Sequence, residues 1–219
     1  MQRGMMSNLI ITQTYQSSPF YRHCPIVSDL PSGWRQTKLV DFPFKSGRLW
    51  CFARGGWIAL LDDDDLILSS VFAEAATIAA KNPNRGAILC DWDSFDHKTG
   101  EIVGGRSGLI RLHQVCSDAL ACHQLVLVNC AAIPPACLEF AQELPMLWEW
   151  YLTASAILAA GAIHLPKVGY LWRQWPQQHH RRAADQFKKA ADLVRAQLLK
   201  QAQELGRNLN LTIPLATIT

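Results

Sequence analysis

The chain has 219 residues, 49% of them hydrophobic, and is therefore long enough to bury a substantial core. Its formal net charge of +3, with 21 basic and 18 acidic residues spread along the chain, is too small to indicate nucleic-acid binding. The 7 cysteines include no pair at the two-residue spacing of zinc or redox motifs, which favours reduced thiols and a cytoplasmic location.

Four apolar segments in the first half of the chain are predicted to be β-strands. They are residues 24–28, 37–40, 57–61 and 87–90. The alanine-rich segment between the last two predicts a helix over residues 71–81, with Ser70 as its cap. A strand, a helix and a strand within about 35 residues have the size of a right-handed crossover, which predicts parallel pairing in an α/β sheet.

Three of the four predicted strands finish on carboxylates. Asp29 follows the first, the run Asp62 to Asp65 follows the third, and Asp91 follows the fourth. Ligands of open α/β sheets bind beyond the carboxyl ends of the strands. We therefore expect these carboxylates to converge on one crevice.

The second half of the chain predicts two helices. Residues 148–160 predict a largely buried helix that ends at Gly161, followed by a short strand over residues 162–165. Residues 181–205 predict a long amphipathic helix. Its apolar stripe consists of Phe187, Ala191, Val194, Leu198, Ala202 and Leu205. Core packing is the favoured interpretation of this stripe, and a coiled coil or a membrane-lying helix is the alternative.

Neither the N-terminus nor the most apolar stretch, residues 119–140, has the pattern of a signal peptide or a spanning helix. We expect a soluble protein that can make peripheral contact with a membrane. A basic run at the start of the long helix offers a rival function, a nucleic-acid or membrane-surface module, although such runs are usually a solvated face. It comprises His179, His180, Arg181, Arg182, Lys188 and Lys189.

The four consecutive aspartates need a partner that neutralises their charge. Residues two apart on an extended or turning backbone face the same side, about 7 Å apart at the Cα atoms, so Asp62 and Asp64 can approach one ligand together. Hard oxygen ligands suit Mg²⁺ or Mn²⁺, and Mg²⁺ usually fills its other positions with water and substrate phosphates. The run therefore predicts a metal and diphosphate site, with a solvated helix-capping turn as the alternative.

Three segments resemble family-two glycosyltransferases of the GT-A fold, in the family's order. The central one is GGWIALLDDDDLILSSVFAEAATIAAKNPNRGAILCDWDSFDHKTGEIV, residues 55–103, whose Asp62-x-Asp64 falls on the family's metal- and nucleotide-sugar-binding motif. The earlier stretch IVSDLPSG, residues 26–33, is similar to the family's Val-Asp-Asp-Gly-Ser segment, which contacts the nucleoside through the position of Asp29. The later stretch IHLPKVGYLWRQW, residues 163–175, resembles a segment of the rhamnosyltransferase-like branch.

The resemblance implies a GT-A-like, mixed and mostly parallel sheet flanked by helices, with a long C-terminal helix. Residues 1–178 would form the glycosyltransferase domain, with a shortened nucleotide-binding half, and residues 179–219 would pack on it. It also implies metal-dependent, inverting transfer of a sugar from a nucleotide-diphosphate sugar to a polysaccharide or lipid-linked acceptor. Asp29, Asp62, Asp91 and Arg173 are the expected donor-binding residues, although Arg173 beside two tryptophans is equally well explained as a stacked structural residue.

The family's catalytic base pair is missing from this chain. Its positions fall on Met146 and Leu147, which cannot accept a proton, and the nearest acid is Glu149. We expect Glu149 to act as the base if the helix presents it to the crevice; otherwise it is a surface residue or the partner of a buried arginine. The loss of the pair supports an alternative function, a catalytically silent relative that acts as a binding or partner subunit.

Overall fold

The computed structural model describes residues 8–14, 34–40, 56–62, 64–108, 110–119, 126–175 and 184–216. The strands are β1 (Asn8–Thr14), β2 (Trp34–Val40), β3 (Trp57–Asp62), β4 (Leu66–Ile67), β5 (Ala87–Asp96), β6 (Ile102–Arg106), β7 (Val126–Asn129) and β8 (Ala162–Gln174). The α-helices are α1 (Ser69–Lys81), α2 (Leu112–Ser117), α3 (Pro135–Glu143), α4 (Trp148–Ala160) and α5 (Ala184–Glu204).

The strands form one mixed 8-stranded sheet in the order β2-β1-β3-β7-β5-β8-β4, and β6 pairs with β5 beside this path. β1 is parallel to both β2 and β3, and β5 is parallel to β8, whereas the pairings made by β4, β6 and β7 are antiparallel. The predicted α/β architecture with flanking helices and a long C-terminal helix is confirmed.

The expected parallel pairing of β3 with β5 is wrong. The two strands run in the same direction, but β7 lies between them and is antiparallel to both. Val128 of β7 is the register partner of Ile58 on one side and of Ala87 on the other. A short apolar strand from much later in the chain therefore completes the buried centre of the sheet, which local patterning cannot reveal.

The sheet separates two apolar layers. On one face α1 contributes Phe72, Ala75 and Ala79, whose small or flat side chains pack against sheet residues such as Ile88. On the other face α4 packs beneath α5, and α4 is buried along almost its whole length. This burial on all sides explains why α4 reads as continuously apolar rather than amphipathic.

β5 and β8 extend far past their predicted ends. β5 and β8 run side by side from Ala87 opposite Ala162 to Asp96 opposite Gln174, with register shifts on either side of Asp91. Because the pairing continues past the polar residues, Asp91 lies within β5 and not at its end. The predicted strand 24–28 and Asp29 lie outside the described residues.

The helix termini also correct the prediction. α1 begins at Ser69 after Leu68, whose side chain makes no cap, so Ser70 is not the capping residue. The Leu68 N–H donates to the Gly169 carbonyl at 3.0 Å, which shows that pairing with β8, not a serine cap, leads the chain into the helix. α5 ends at Glu204, and Leu205 is exposed.

The apolar stripe of α5 packs in the core. Ala191, Val194 and Leu198 are buried in the cluster that contains α4, which favours core packing over a coiled coil or a membrane-lying helix. Of the basic run, Lys188 and Lys189 are exposed on α5, and the four earlier residues lie outside the described ranges. Across the described ranges, no helix combines the length and hydrophobicity needed to cross a bilayer.

Candidate functional site

The acidic loop, which comprises Asp62, Asp64 and Asp65, lies between the carboxyl end of β3 and the start of β4. The apolar residues of β3 are buried between the two layers, and the strand ends where the first carboxylate reaches solvent. The Asp65 N–H donates to the Asp62 carbonyl at 3.3 Å, which closes a turn. β4 then pairs antiparallel with β8 through Leu66 opposite Leu171, which holds the loop against the end of β8.

Three carboxylates of this loop gather within reach of one ion. Each of Asp62, Asp64 and Asp65 offers a carboxylate oxygen, and these oxygens lie within 4.8 Å of one another. Asp62 is exposed, Asp64 is half-buried and Asp65 is buried completely. A set of carboxylate oxygens fits Mg²⁺ or Mn²⁺ better than a softer metal. The structure thus brings the two predicted ligands together and adds Asp65.

The buried carboxyl of Asp65 is held by the end of β8. The Tyr170 hydroxyl donates to its Oδ2, and the Arg173 backbone N–H donates to its Oδ1 at 2.7 Å. Burial raises the pKa of Asp65 well above its usual range, the charges of Asp64 and Asp62 add to this rise, and the two hydrogen bonds oppose it. Burial and the charges of Asp65, Asp62 and Asp64 raise the pKa of Tyr170.

Arg173 and Trp175 hold the neighbouring Asp64. The Arg173 Nε donates to the Asp64 backbone carbonyl at 2.7 Å, and the Trp175 Nε1 donates to Asp64 Oδ2 at the same distance. The guanidinium carbon of Arg173 lies 4.8 Å from the centre of the Phe95 ring. Arg173 is therefore both a stacked residue and a cation beside the acidic loop, and its donor-binding role stays a prediction.

Glu149 lies near the acidic loop, at the start of α4. The preceding Leu147 has φ 64°, the only positive φ of a non-glycine residue in the described part of the chain. Such a conformation costs of order 1–3 kcal/mol and is enriched at functional sites. The Glu149 Oε2 is enclosed and has no hydrogen-bond partner among the described residues. Burial, with a smaller contribution from the Asp62 charge, raises the pKa of Glu149 to about 7.

Of the two remaining predicted donor residues, the structure describes only Asp91, and it pairs with a residue inside the sheet. Asp91 is buried within β5, where its Oδ1 lies 2.7 Å from the Nε2 of the fully buried His164 on β8. The expectation that Asp91 opens onto the crevice at a strand end is therefore not met, because β5 continues past it. Asp29 lies outside the described residues.

Sequence reasoning missed three residues of the site. Asp65 reads as one of four equivalent aspartates, and only its burial distinguishes it. Tyr170 and Trp175 contact the acidic loop from more than a hundred residues away in sequence. The one available signal was the resemblance of residues 163–175 to a family segment, which marked this stretch without giving these two residues a role.

Comparisons with known proteins give a fold likeness only. No protein-family model matches the chain, and a search of curated proteins returns no match. Three solved structures that are similar are of TarS from S. aureus, a glycosyltransferase: residues 1–349 alone, the same residues in complex with UDP, and TarS. The chain is 15%, 14% and 14% identical to them, with TM-scores of 0.55, 0.55 and 0.53.

The match covers 91% of this chain in each case, and 71%, 70% and 43% of the three TarS chains. This likeness does not reach the finer assignment to a rhamnosyltransferase-like branch. The likeness shows that the chain shares its fold with these TarS structures. In this chain the acidic loop lies at the carboxyl end of a central strand.

Proposed function

We propose that this protein transfers a sugar from a nucleoside-diphosphate donor to an acceptor hydroxyl, with a divalent ion held by Asp62 and Asp64. One observation carries the proposal: Asp62 and Asp64 bring carboxylate oxygens within 4.8 Å of each other, and the Asp62 charge acts on Glu149, whose enclosed Oε2 has no hydrogen-bond partner among the described residues. Glycosyl transfer needs an ion that stabilises the leaving diphosphate and a base that accepts the acceptor's proton.

The acidic loop binds and orients the donor. Carboxylate oxygens of Asp62 and Asp64 would hold Mg²⁺ or Mn²⁺, and Arg173 adds a fixed positive charge beside them. The ion, when bound, supplies the positive charge that stabilises the departing nucleoside diphosphate. The fold likeness to a protein solved in complex with UDP supports a uridine nucleotide as the first donor class to test.

Glu149 receives the proton of the acceptor. The acceptor oxygen forms a bond to the anomeric carbon as the bond to the diphosphate oxygen breaks, and the hydroxyl proton passes to the Glu149 carboxylate. A pKa of about 7 is well suited to this task, because a general base works best near the ambient pH. A single displacement of this kind inverts the anomeric centre.

The acceptor in this proposal is a polysaccharide or a lipid-linked sugar. Peripheral membrane contact and a cytoplasmic location stay predictions from the sequence. One observation favours the second candidate, a catalytically silent binding subunit: Met146 and Leu147 occupy the positions of the family's base pair. An acid at position 149 that senses the charge of Asp62 favours the active enzyme.

Thermal unfolding with nucleotides tests the donor site. We expect UDP and Mn²⁺ together to raise Tm by about 5–10 °C at roughly 100 times the Kd, because a ligand that binds only the folded state stabilises it. UDP with EDTA, and UMP with Mn²⁺, are the matched controls and should give little shift. GDP, ADP and dTDP extend the panel to other bases. The absence of any shift that needs both a diphosphate and Mn²⁺ would contradict the proposed function.

A further inference from the structure

Both carboxylate oxygens of Asp65 are used within the fold. Both accept hydrogen bonds from β8, one from the Tyr170 hydroxyl and one from the Arg173 backbone N–H, and the side chain is fully buried. Proximity alone would make Asp65 a third ion ligand. Its hydrogen bonds instead suit an anchor that ties the loop to the sheet.

The end of β8 and Trp175, which follows it, also bind Asp64 at its backbone and its side chain. The Arg173 Nε donates to the Asp64 carbonyl and the Trp175 Nε1 donates to Asp64 Oδ2, each at 2.7 Å. The turn's own backbone hydrogen bond, from Asp65 to Asp62, is longer at 3.3 Å. Short bonds from Arg173 and Trp175 therefore define where the Asp64 carboxylate lies.

We propose that Asp65, Tyr170 and Trp175 are positioning residues that orient the Asp64 carboxylate for a divalent ion, with Asp65 as an anchor and not as a ligand. This inference rests on the proposed function. Hydrogen bonds to a metal-binding carboxylate fix its orientation before the ion arrives, and their loss typically weakens metal affinity by 10–100-fold.

Trp175 gives the sharpest test because its bond reaches the ligand carboxylate directly. Its side chain is half-buried at the end of β8, so removal of the indole N–H disturbs little of the core. Trp150 offers a matched control, since its buried indole N–H donates to the Val115 backbone carbonyl at the same 2.7 Å. A purely structural role for the Trp175 bond would make the two substitutions equivalent in metal binding.

The experiment measures Mn²⁺ binding to the full chain, with and without UDP, by the loss of the free Mn²⁺ signal in electron paramagnetic resonance. Thermal unfolding of each variant runs in parallel. We expect Trp175→Phe and Tyr170→Phe to raise the Kd for Mn²⁺ by about 10–100-fold and Trp150→Phe to leave it unchanged. Asp65→Asn should weaken binding to a similar degree, whereas Asp64→Asn should remove it.

The outcomes separate this inference from the proposed function. If the wild-type protein binds no Mn²⁺ even with UDP, both fail. If the wild type binds Mn²⁺ and Trp175→Phe binds it equally well, the positioning role is overturned and the ion site stands. If Asp65→Asn is folded and abolishes binding as completely as Asp64→Asn, Asp65 is a ligand and the anchor role is overturned. If Asp65→Asn does not fold, the Kd values of Trp175→Phe and Tyr170→Phe for Mn²⁺ decide whether the positioning role stands.

Discussion

Replacement of Glu149 by glutamine is expected to lower the rate of sugar transfer by about 10²–10⁴-fold, the usual contribution of a positioned general base. The amide keeps the size of the side chain but cannot accept the acceptor's proton at neutral pH. Because the carboxyl is enclosed and lies near the Asp62 charge, we expect the neutral amide to leave Tm unchanged or higher. Initial-rate kinetics with radiolabelled donor sugar measure the effect.

The matched control for this substitution is Glu143→Gln, an exposed residue at the end of α3. It should transfer sugar at the wild-type rate. In Glu149→Gln the affinity for UDP and Mn²⁺ should stay within about twofold, because the loss falls on kcat and not on donor binding. Full activity of Glu149→Gln would show that the base lies elsewhere. A wild-type protein that binds donor and transfers nothing would support the catalytically silent candidate.

Replacement of Asp64 by asparagine is expected to abolish Mn²⁺-dependent nucleotide binding and to lower transfer by about 10³-fold or more, since a metal contributes several kcal/mol to stabilisation of the leaving charge. Asparagine retains an acceptor oxygen that Trp175 can contact, so the position of the side chain is preserved while its charge is lost. Calorimetric titration of UDP in the presence of Mn²⁺, together with donor turnover, measures both effects.

Asp185→Asn removes one exposed carboxylate from the first turn of α5 and controls for net charge. It should bind UDP and Mn²⁺ as the wild type does. Asp62→Asn should resemble Asp64→Asn, because both residues are assigned to the ion. Retention of Mn²⁺-dependent UDP binding in both aspartate variants would remove the role given to the acidic loop.

The parts of the fold that follow from short-range patterns could be predicted from the sequence. The apolar run before Asp62 is buried on both faces, so its composition alone indicates a central strand that ends at the first charge. The helix at residues 148–160 was predicted with the bounds that α4 has. In each case the hydrophobic burial of consecutive residues decides the structure locally.

The predictions that were wrong concern contacts between residues that are far apart in sequence. Nothing near β3 or β5 in sequence indicates that β7 lies between them. Asp91 looked like a strand-end carboxylate, yet β5 continues alongside β8, and His164 supplies a buried partner that lets the acid stay inside. A buried acid inside a strand needs a polar partner, and because that partner is distant in sequence, local patterning mistakes the acid for the end of the strand.

In the candidate site, too, the features set by local spacing could be predicted, and those set by distant contacts could not. The spacing of Asp62 and Asp64 was enough to predict that their carboxylates lie close together, because alternate residues face one side of an extended chain. A ligand shared by the two stays a prediction. The different burial of Asp64 and Asp65 arises from contacts with Tyr170, Arg173 and Trp175, and adjacent identical residues carry no sign of it. Leu147, just before the helix that carries Glu149, has a positive φ, which the sequence does not indicate because leucine rarely adopts this conformation.

A crystal of the protein soaked with Mn²⁺ and UDP tests the central claim most directly, through the anomalous scattering of manganese. The account predicts one strong anomalous peak at bonding distance from carboxylate oxygens of Asp62 and Asp64, with diphosphate oxygens completing the coordination. UDP bound with no manganese at this loop, or manganese bound elsewhere, would contradict it.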